Sequence, residues 1–419
     1  MDGDFKPANR PAKSLRSALD ERSAETQTPD KSFKTPEEVA AIDDVVEPAS
    51  LVDTKPDTEV KQPKGSRFKP HWPFQRREWL ITALVIVICG SIAGYAITHI
   101  DKKPAASAVE VKKVVKKAPP KPTTVPSTLT GVPVAPEVNQ RPVTGVMIEN
   151  SLAARPQSGL SEAGVVFEAI AEGGITRFLA LYQDTQPADI GPVRSARPYF
   201  VKWALGFDAG YAHVGGSPQA MADIRALGVK DLDQFANSGA YRRVTTRSAP
   251  HNVYTTMANL NALEASKGYT TSTYTGFARS KKATPAKVPT AKTVDLGISS
   301  ALYNVHYDYI AATNTYNRSE GGAPHMDANG NKQISPSVVV ALVVPFSIAS
   351  DGKHSVYQTI GSGQAFVFQD GNVTIGTWTK TSEKTQITFT DSAGKPLLLN
   401  PGQTWISAVA AAPKVTYAP

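Results

Sequence analysis

Val165-Val166-Phe167-Glu168-Ala169-Ile170-Ala171-Glu172-Gly173-Gly174-Ile175-Thr176-Arg177-Phe178-Leu179-Ala180-Leu181-Tyr182 is the stretch on which the fold depends. Two apolar-rich arms flank a Gly-Gly pair, and glycine reaches the left-handed backbone region that a tight reversal needs. The arms read best as a β-hairpin. Glu168 and Glu172, four apart, would also share one face of a helix, which leaves a helix open as the alternative.

Upstream of the hairpin, Val143–Ile148 reads as a short strand, followed by a loop through Arg155 to Gly164. Downstream lies Ile190-Gly191-Pro192-Val193-Arg194-Ser195-Ala196-Arg197, where a helix-like run from Ser195 to Phe207 follows a Gly-Pro break. Arg194 and Arg197 then fall on one side of a helix's first turn, against the positive end of its macrodipole. An anion between them, from a side chain or a ligand, would offset that cost. A strand at Gly210–Val214 leads into Gly215-Gly216-Ser217-Pro218, with Ser217 as N-cap of a helix from Gln219 to Leu227. Such a start offers free N–H groups to an anion, but it lacks the spacing of a nucleotide loop. Arg242, Arg243 and Arg247 precede Ser248-Ala249-Pro250-His251-Asn252-Val253-Tyr254, and Thr255 or Thr256 caps a helix to Ala265. Strands alternating with helices make residues 141–285 an α/β or α+β domain. After a Lys/Ala/Pro/Thr connector, 281–292, short strand candidates with turn residues between them run through 295–419. Asp370-Gly371 is a strong hairpin signal among them, so this part reads as an all-β, sandwich- or barrel-like domain. The change of period across a polar connector predicts two separate compact units.

The remainder of the chain sets the location. Residues 1–78 hold 14 basic and 15 acidic side chains without an apolar period, and they read as a disordered cytoplasmic tail. Trp79–Ile100 is 22 residues without a charge. At helical rise it reaches roughly 33 Å, enough to cross a bilayer core. Arg76 and Arg77 flank its start, which predicts a single-pass signal-anchor with the N-terminus inside and the domains extracytoplasmic. The Lys/Pro-rich stretch 101–140 reads as an extended linker. Cys89, the single cysteine, lies inside the apolar run, so the rest of the fold uses neither disulfides nor thiolate-bound metal. The excess of 45 basic over 37 acidic residues is spread thinly, which argues against nucleic acid. His325 and Asp327 are too few to hold a metal, and no motif calls for a cofactor.

Charged and polar residues at element ends of the 141–285 segment are the candidate ligand-binding set: Arg155, Glu168, Glu172, Arg177, Arg194, Arg197, His213, Ser217, His251 and Asn252. Arginines at such positions clamp carboxylate or phosphate, and Glu and His supply acid–base groups. The competing account is a buried Arg–Glu network that fixes loops. No nucleophile–base–orienter set is visible, so no catalytic residue is assigned. Binding of an anionic cell-wall ligand or an envelope protein is favoured over an envelope hydrolase or transferase.

Several blocks also resemble a known family. Arg155-Pro156-Gln157-Ser158-Gly159-Leu160, Glu172 to Phe178, Gly191 to Arg197, His213 with Gly215-Gly216-Ser217, and Ala249-Pro250-His251-Asn252 are similar to the signature blocks of the YerB-like lipoproteins, a bacterial family of unknown function. Gly361-Ser362-Gly363, Gly376-Thr377-Trp378 and Leu399 to Ile406 resemble its second part. The resemblance implies an envelope-exposed protein and supplies no activity or site. This chain departs from the pattern at Cys89, which sits mid-span without the small preceding residue that lipidation needs. A protein anchor in place of a lipid one is expected.

Overall fold

In the computed structural model, which describes residues 123–419, the two arms around Gly173-Gly174 are antiparallel strands, Val165–Ile170 and Thr176–Tyr182. Both glycines take positive φ, 56° and 79°. The helix alternative fails because the arms pair residue for residue and, Ile170 apart, are buried throughout, a pattern that suits strands covered on two faces.

The hairpin lies inside a ten-stranded mixed sheet. Its strands in chain order are β1 (Thr144–Glu149), β2 (Val165–Ile170), β3 (Thr176–Tyr182), β4 (Gly210–Ala212), β5 (Lys230–Asp231), β6 (Val338–Val343), β7 (Gly361–Gln369), β8 (Asn372–Lys380), β9 (Thr388–Thr390) and β10 (Thr404–Val409). Their spatial order is β9-β8-β7-β6-β10-β2-β3-β1-β4-β5. β10 runs parallel to both neighbours, β6 and β2, and β1 is parallel to β4. One face of the sheet presents Met147, Phe167, Leu179, Val340 and Ile406 to two helices, α1 (Pro198–Leu205) and α2 (Pro218–Leu227). The other presents Ile148, Phe178, Ala341 and Trp405 to a five-stranded antiparallel sheet that includes Thr293–Leu296, Val305–Ile310 and Thr315–Glu320. A third helix, α3 (Met257–Ser266), adds Met257 and Leu260 to that second core. The protein is thus mostly sheet with few helices, and its C-terminal part is all-β, two sheets packed face to face.

Several expectations change. The two parts are not separate compact units, because β10, from beyond the connector, fills the slot between β2 and β6. Parallel strands need long crossovers, and here the crossover runs through the whole second part. The connector is itself tied down: Ala286 and Ala291 donate backbone N–H groups to Asp370 and Gly371, both at 2.9 Å. The linker also ends sooner than expected. Val125–Pro126 pairs with Pro133–Val134, and Leu129 is buried. A Cβ at Gly164 would come within 2.7 Å of Leu129, so that leucine packs straight onto the backbone entering β2. The helix expected from Ser195 begins at Pro198, whose fixed φ suits a first helical position. The tail and the Trp79–Ile100 anchor lie outside the described residues. Among the described residues no helix is long and apolar enough to cross a membrane.

Candidate functional site

β1 and β4 both run toward the edge where Glu149 and His213 stand, and Arg177 opens the antiparallel β3 at the same edge. Open α/β sheets build their sites outside the carboxyl ends of parallel strands. The segment Val193–Arg197 crosses this edge in extended form. Arg194 N–H donates to Met147 O at 2.9 Å, and Val214 N–H donates to Arg194 O at 3.1 Å. Ala196 N–H then donates to Gly215 O at 2.9 Å. Arg194 and Arg197 therefore precede the helix, and the macrodipole conflict expected for them does not arise.

Both are paired. Arg194 Nε lies 3.4 Å from Glu149 Oε1. Arg197 and Arg177 share Glu172, the former through Oε1 and the latter at 3.4 Å from Oε2. Arg177 also donates to Ser195 O at 2.8 Å. His213 is buried with Nδ1 2.7 Å from Gly215 O and Nε2 3.0 Å from Asp231. Ser217 caps α2, accepting from Ala220 N–H at 3.3 Å. These groups weld the loops to the sheet end.

Glu168 belongs elsewhere. It is fully buried on the opposite face, accepting from Arg318 at 2.7 Å, Ser407 at 2.8 Å and Trp405 Nε1 at 3.0 Å. Arg318 lies 4.6 Å from the Trp405 ring centroid and also pairs with Glu320, at 3.4 Å. Burial and then Arg318 push His325 well below its usual range. Neutral His325 thus accepts at Nδ1 from Arg318 at 2.6 Å and donates from Nε2 to Gln157 at 2.9 Å. This network is core.

What remains open to solvent is a cleft of about 480 Å³ lined by Ala153, Arg155, Thr246, Arg247, Ser248 and His251. Arg155 is anchored by Glu320 at 3.2 Å and by Asn150, and its guanidinium lies 5.2 Å from the Tyr303 ring centroid. Arg247 donates to two carbonyls, Ala153 O and Pro156 O, and among the described residues no carboxylate pairs with it. His251 presents Nδ1 to Glu149 Oε1 at 2.8 Å, and Ser151 Oγ donates to the same oxygen at 2.8 Å. Burial alone would raise the Glu149 carboxyl. The His251 hydrogen bond and the Arg194 charge outweigh it and hold the group below the ordinary range. Among the described residues no hydrogen bond engages His251 Nε2, and the side chain is partly exposed. Asn252 stands beside this group, accepting from Arg243 at 2.9 Å.

The chain is similar to known proteins. Residues 129–270 match the model "Protein of unknown function (DUF3048) N-terminal domain", and residues 294–406 match its C-terminal counterpart. The chain belongs to the DUF3048 family. Within the family, it is 33% identical over 285 residues to "Putative lipoprotein YerB" of Bacillus subtilis (strain 168), covering 67% of this chain and 85% of that protein. The crystal structure of YerB covers 70% of this chain and 100% of its own, with 30% identity and a TM-score of 0.64. The boundary between the two DUF3048 models falls at the connector, yet both parts contribute strands to one sheet.

Of the residues singled out in the sequence, Arg155 and His251 meet in the cleft, with Asn252 adjoining. Glu172, Arg177, Arg194, Arg197, His213 and Ser217 form the buried support behind it, and Glu168 faces the other core. Glu149, Ser151 and Arg247 also belong to the cleft group and do not stand out in the sequence. A polar Glu149-Asn150-Ser151 triplet closing an apolar strand was the signal available for the first two.

Proposed function

We propose that this is a membrane-associated envelope protein whose domains face outward and bind an anionic ligand, a carboxylate or phosphate, in the Arg155–Arg247–His251 cleft. The relative named as a lipoprotein supports the envelope placement. The apolar Trp79–Ile100 stretch supports a protein anchor with the N-terminus inside. One observation carries the ligand class: Arg247 lines an open cleft beside Arg155 and bonds to neutral groups, the Ala153 and Pro156 carbonyls and the Tyr254 side chain. An arginine without a carboxylate partner, held in place by backbone oxygens, keeps its charge available for an incoming oxyanion. A cell-wall polymer or an envelope protein bearing such groups fits this chemistry.

The test is titration of the full-length protein with orthophosphate and, separately, acetate, followed by calorimetry. Arg247→Gln should weaken binding by about 10- to 100-fold, the loss of one charge-assisted pair, with the melting temperature kept. Affinity that is the same in the variant would overturn the assignment of the cleft.

A further inference from the structure

Three features of the cleft converge on one ring nitrogen. A carboxylate buried behind His251 accepts its Nδ1–H, with Glu149 Oε1 at 2.8 Å, and this fixes the tautomer whose Nε2 lone pair points outward. Among the described residues Nε2 has no hydrogen-bond partner, and the side chain is 16% exposed, so the ring is reachable yet sheltered. Arg155, held by Glu320 at 3.2 Å, and Arg247 line the same cavity, and guanidinium groups suit the non-bridging oxygens of a phosphoryl group. Imidazole nitrogen is a known covalent nucleophile once its proton is parked on the far side of the ring.

We infer that His251 Nε2 is a phosphoryl-accepting nucleophile, with Glu149 as its positioning residue and Arg155 and Arg247 as the phosphoryl clamp. The inference rests on the anion cleft proposed above. The substrate class is a phosphoramidate, whose leaving nitrogen needs no proton from the protein. With phosphoramidate the atoms balance simply. The Nε2 lone pair attacks phosphorus, the Nε2–P bond forms and the P–N bond breaks. The departing nitrogen leaves with that electron pair as ammonia, already bearing its three hydrogens. The ring is left cationic, with Nδ1–H still donated to Glu149. Water then attacks phosphorus, the Nε2–P electron pair returns to the ring, and the water's surplus proton passes to solvent. Nothing is oxidised or reduced.

The chain supplies its own control. His354 also presents Nδ1 to a carboxylate, Asp351 at 2.5 Å, on an exposed turn, and among the described residues no arginine is bonded or ion-paired to that Asp351–His354 pair. The full-length protein is incubated with phosphoramidate, and acid-labile phosphohistidine is mapped by mass spectrometry and ³¹P NMR. His251 should label faster than His354. Arg247→Gln should slow His251 labelling by roughly 100-fold, the effect of losing one charged donor at a transfer state, and leave His354 unchanged. Glu149→Gln should slow it too and shift the His251 ¹⁵N resonances to the other tautomer, a change that a merely structural role would not produce. Labelling of His251 no faster than His354 in the wild type overturns the inference. If orthophosphate still binds in that case, the cleft reading survives alone; if orthophosphate does not bind either, both fall.

Discussion

Glu168 and Arg318 show what a single buried charge can decide. Arg318 has no exposed surface, and its partners Glu168 and Glu320 come from the large sheet and the smaller one. Removing Glu168 takes from the dry Arg318 its nearer carboxylate and leaves Trp405 Nε1 and Ser407 Oγ without that acceptor, which costs about 3–5 kcal/mol. Glu168→Ala should therefore collapse the denaturant midpoint, whereas Arg247→Gln leaves it in place; urea unfolding of the two side by side checks this. Glu264 makes the opposite kind of claim. Burial pushes its carboxyl from the ordinary 4.5 up to about 8, against the hydrogen bonds from Thr144 Oγ1 at 3.1 Å and the Lys230 charge. Its folded-state value is raised, so its contribution is fully present below the unfolded value and is lost as pH rises through about 8. Stability should drop by a few kcal/mol between about pH 5 and about pH 9, and Glu264→Gln should flatten that drop. An equal drop in both proteins would assign it to other groups. Neither residue was legible in its role. Thr315–Glu320 reads as a polar run, although its alternation is real and the buried positions are Tyr316, Arg318 and Glu320. A charged residue facing inward looks like a surface residue until its partner, far away in the chain, is known.

Elements were more readable than partners, because caps and turns are local chemistry. Ser217 and Thr256 cap α2 and α3 as their side chains announce, with Thr256 Oγ1 accepting from Asn259 N–H at 3.0 Å. Thr256→Ala should cost about 1 kcal/mol in chemical denaturation and leave orthophosphate affinity unchanged. A loss of affinity would mean that α3 positions the cleft. Asp370 and Gly371 take positive φ, 58° and 76°, and close β7 onto β8 as the dipeptide predicts. The misplaced element was α1. Pro198 marks the true start, whereas the spacing of the two arginines points to a boundary three residues too early. Their real setting, an extended segment between β1 and the Gly215 turn, depends on neighbours that no local window contains. The Tyr241–Arg243 and Val253–Thr255 hairpin, which brings Arg247 and His251 to the cleft, is short and polar and gave little strand signal.

For the whole molecule, the shared sheet changes what a cut in the chain should do. Limited proteolysis within 281–292 is expected to leave the two fragments bound together in native gel filtration and to separate them only in denaturant, since β10 stays seated between β2 and β6. Fragments that drift apart without denaturant would show that the seam contributes little. The division into two parts was visible in the sequence as a change of period. Their union was not, because it depends on pairing between strands whose residues, such as Glu168 and Trp405, stand 237 positions apart. That separation also sets a timetable. A ribosome releases β2 long before β10, so the emerging hairpin has one flank empty for most of the chain's synthesis. Until residue 404 is available, Glu168 lacks Trp405 and Ser407, and the seam cannot close. Such non-local closure is slow, and an unfinished edge is prone to wrong pairing. A truncated product lacking β10 should therefore be cleared by proteases before it accumulates.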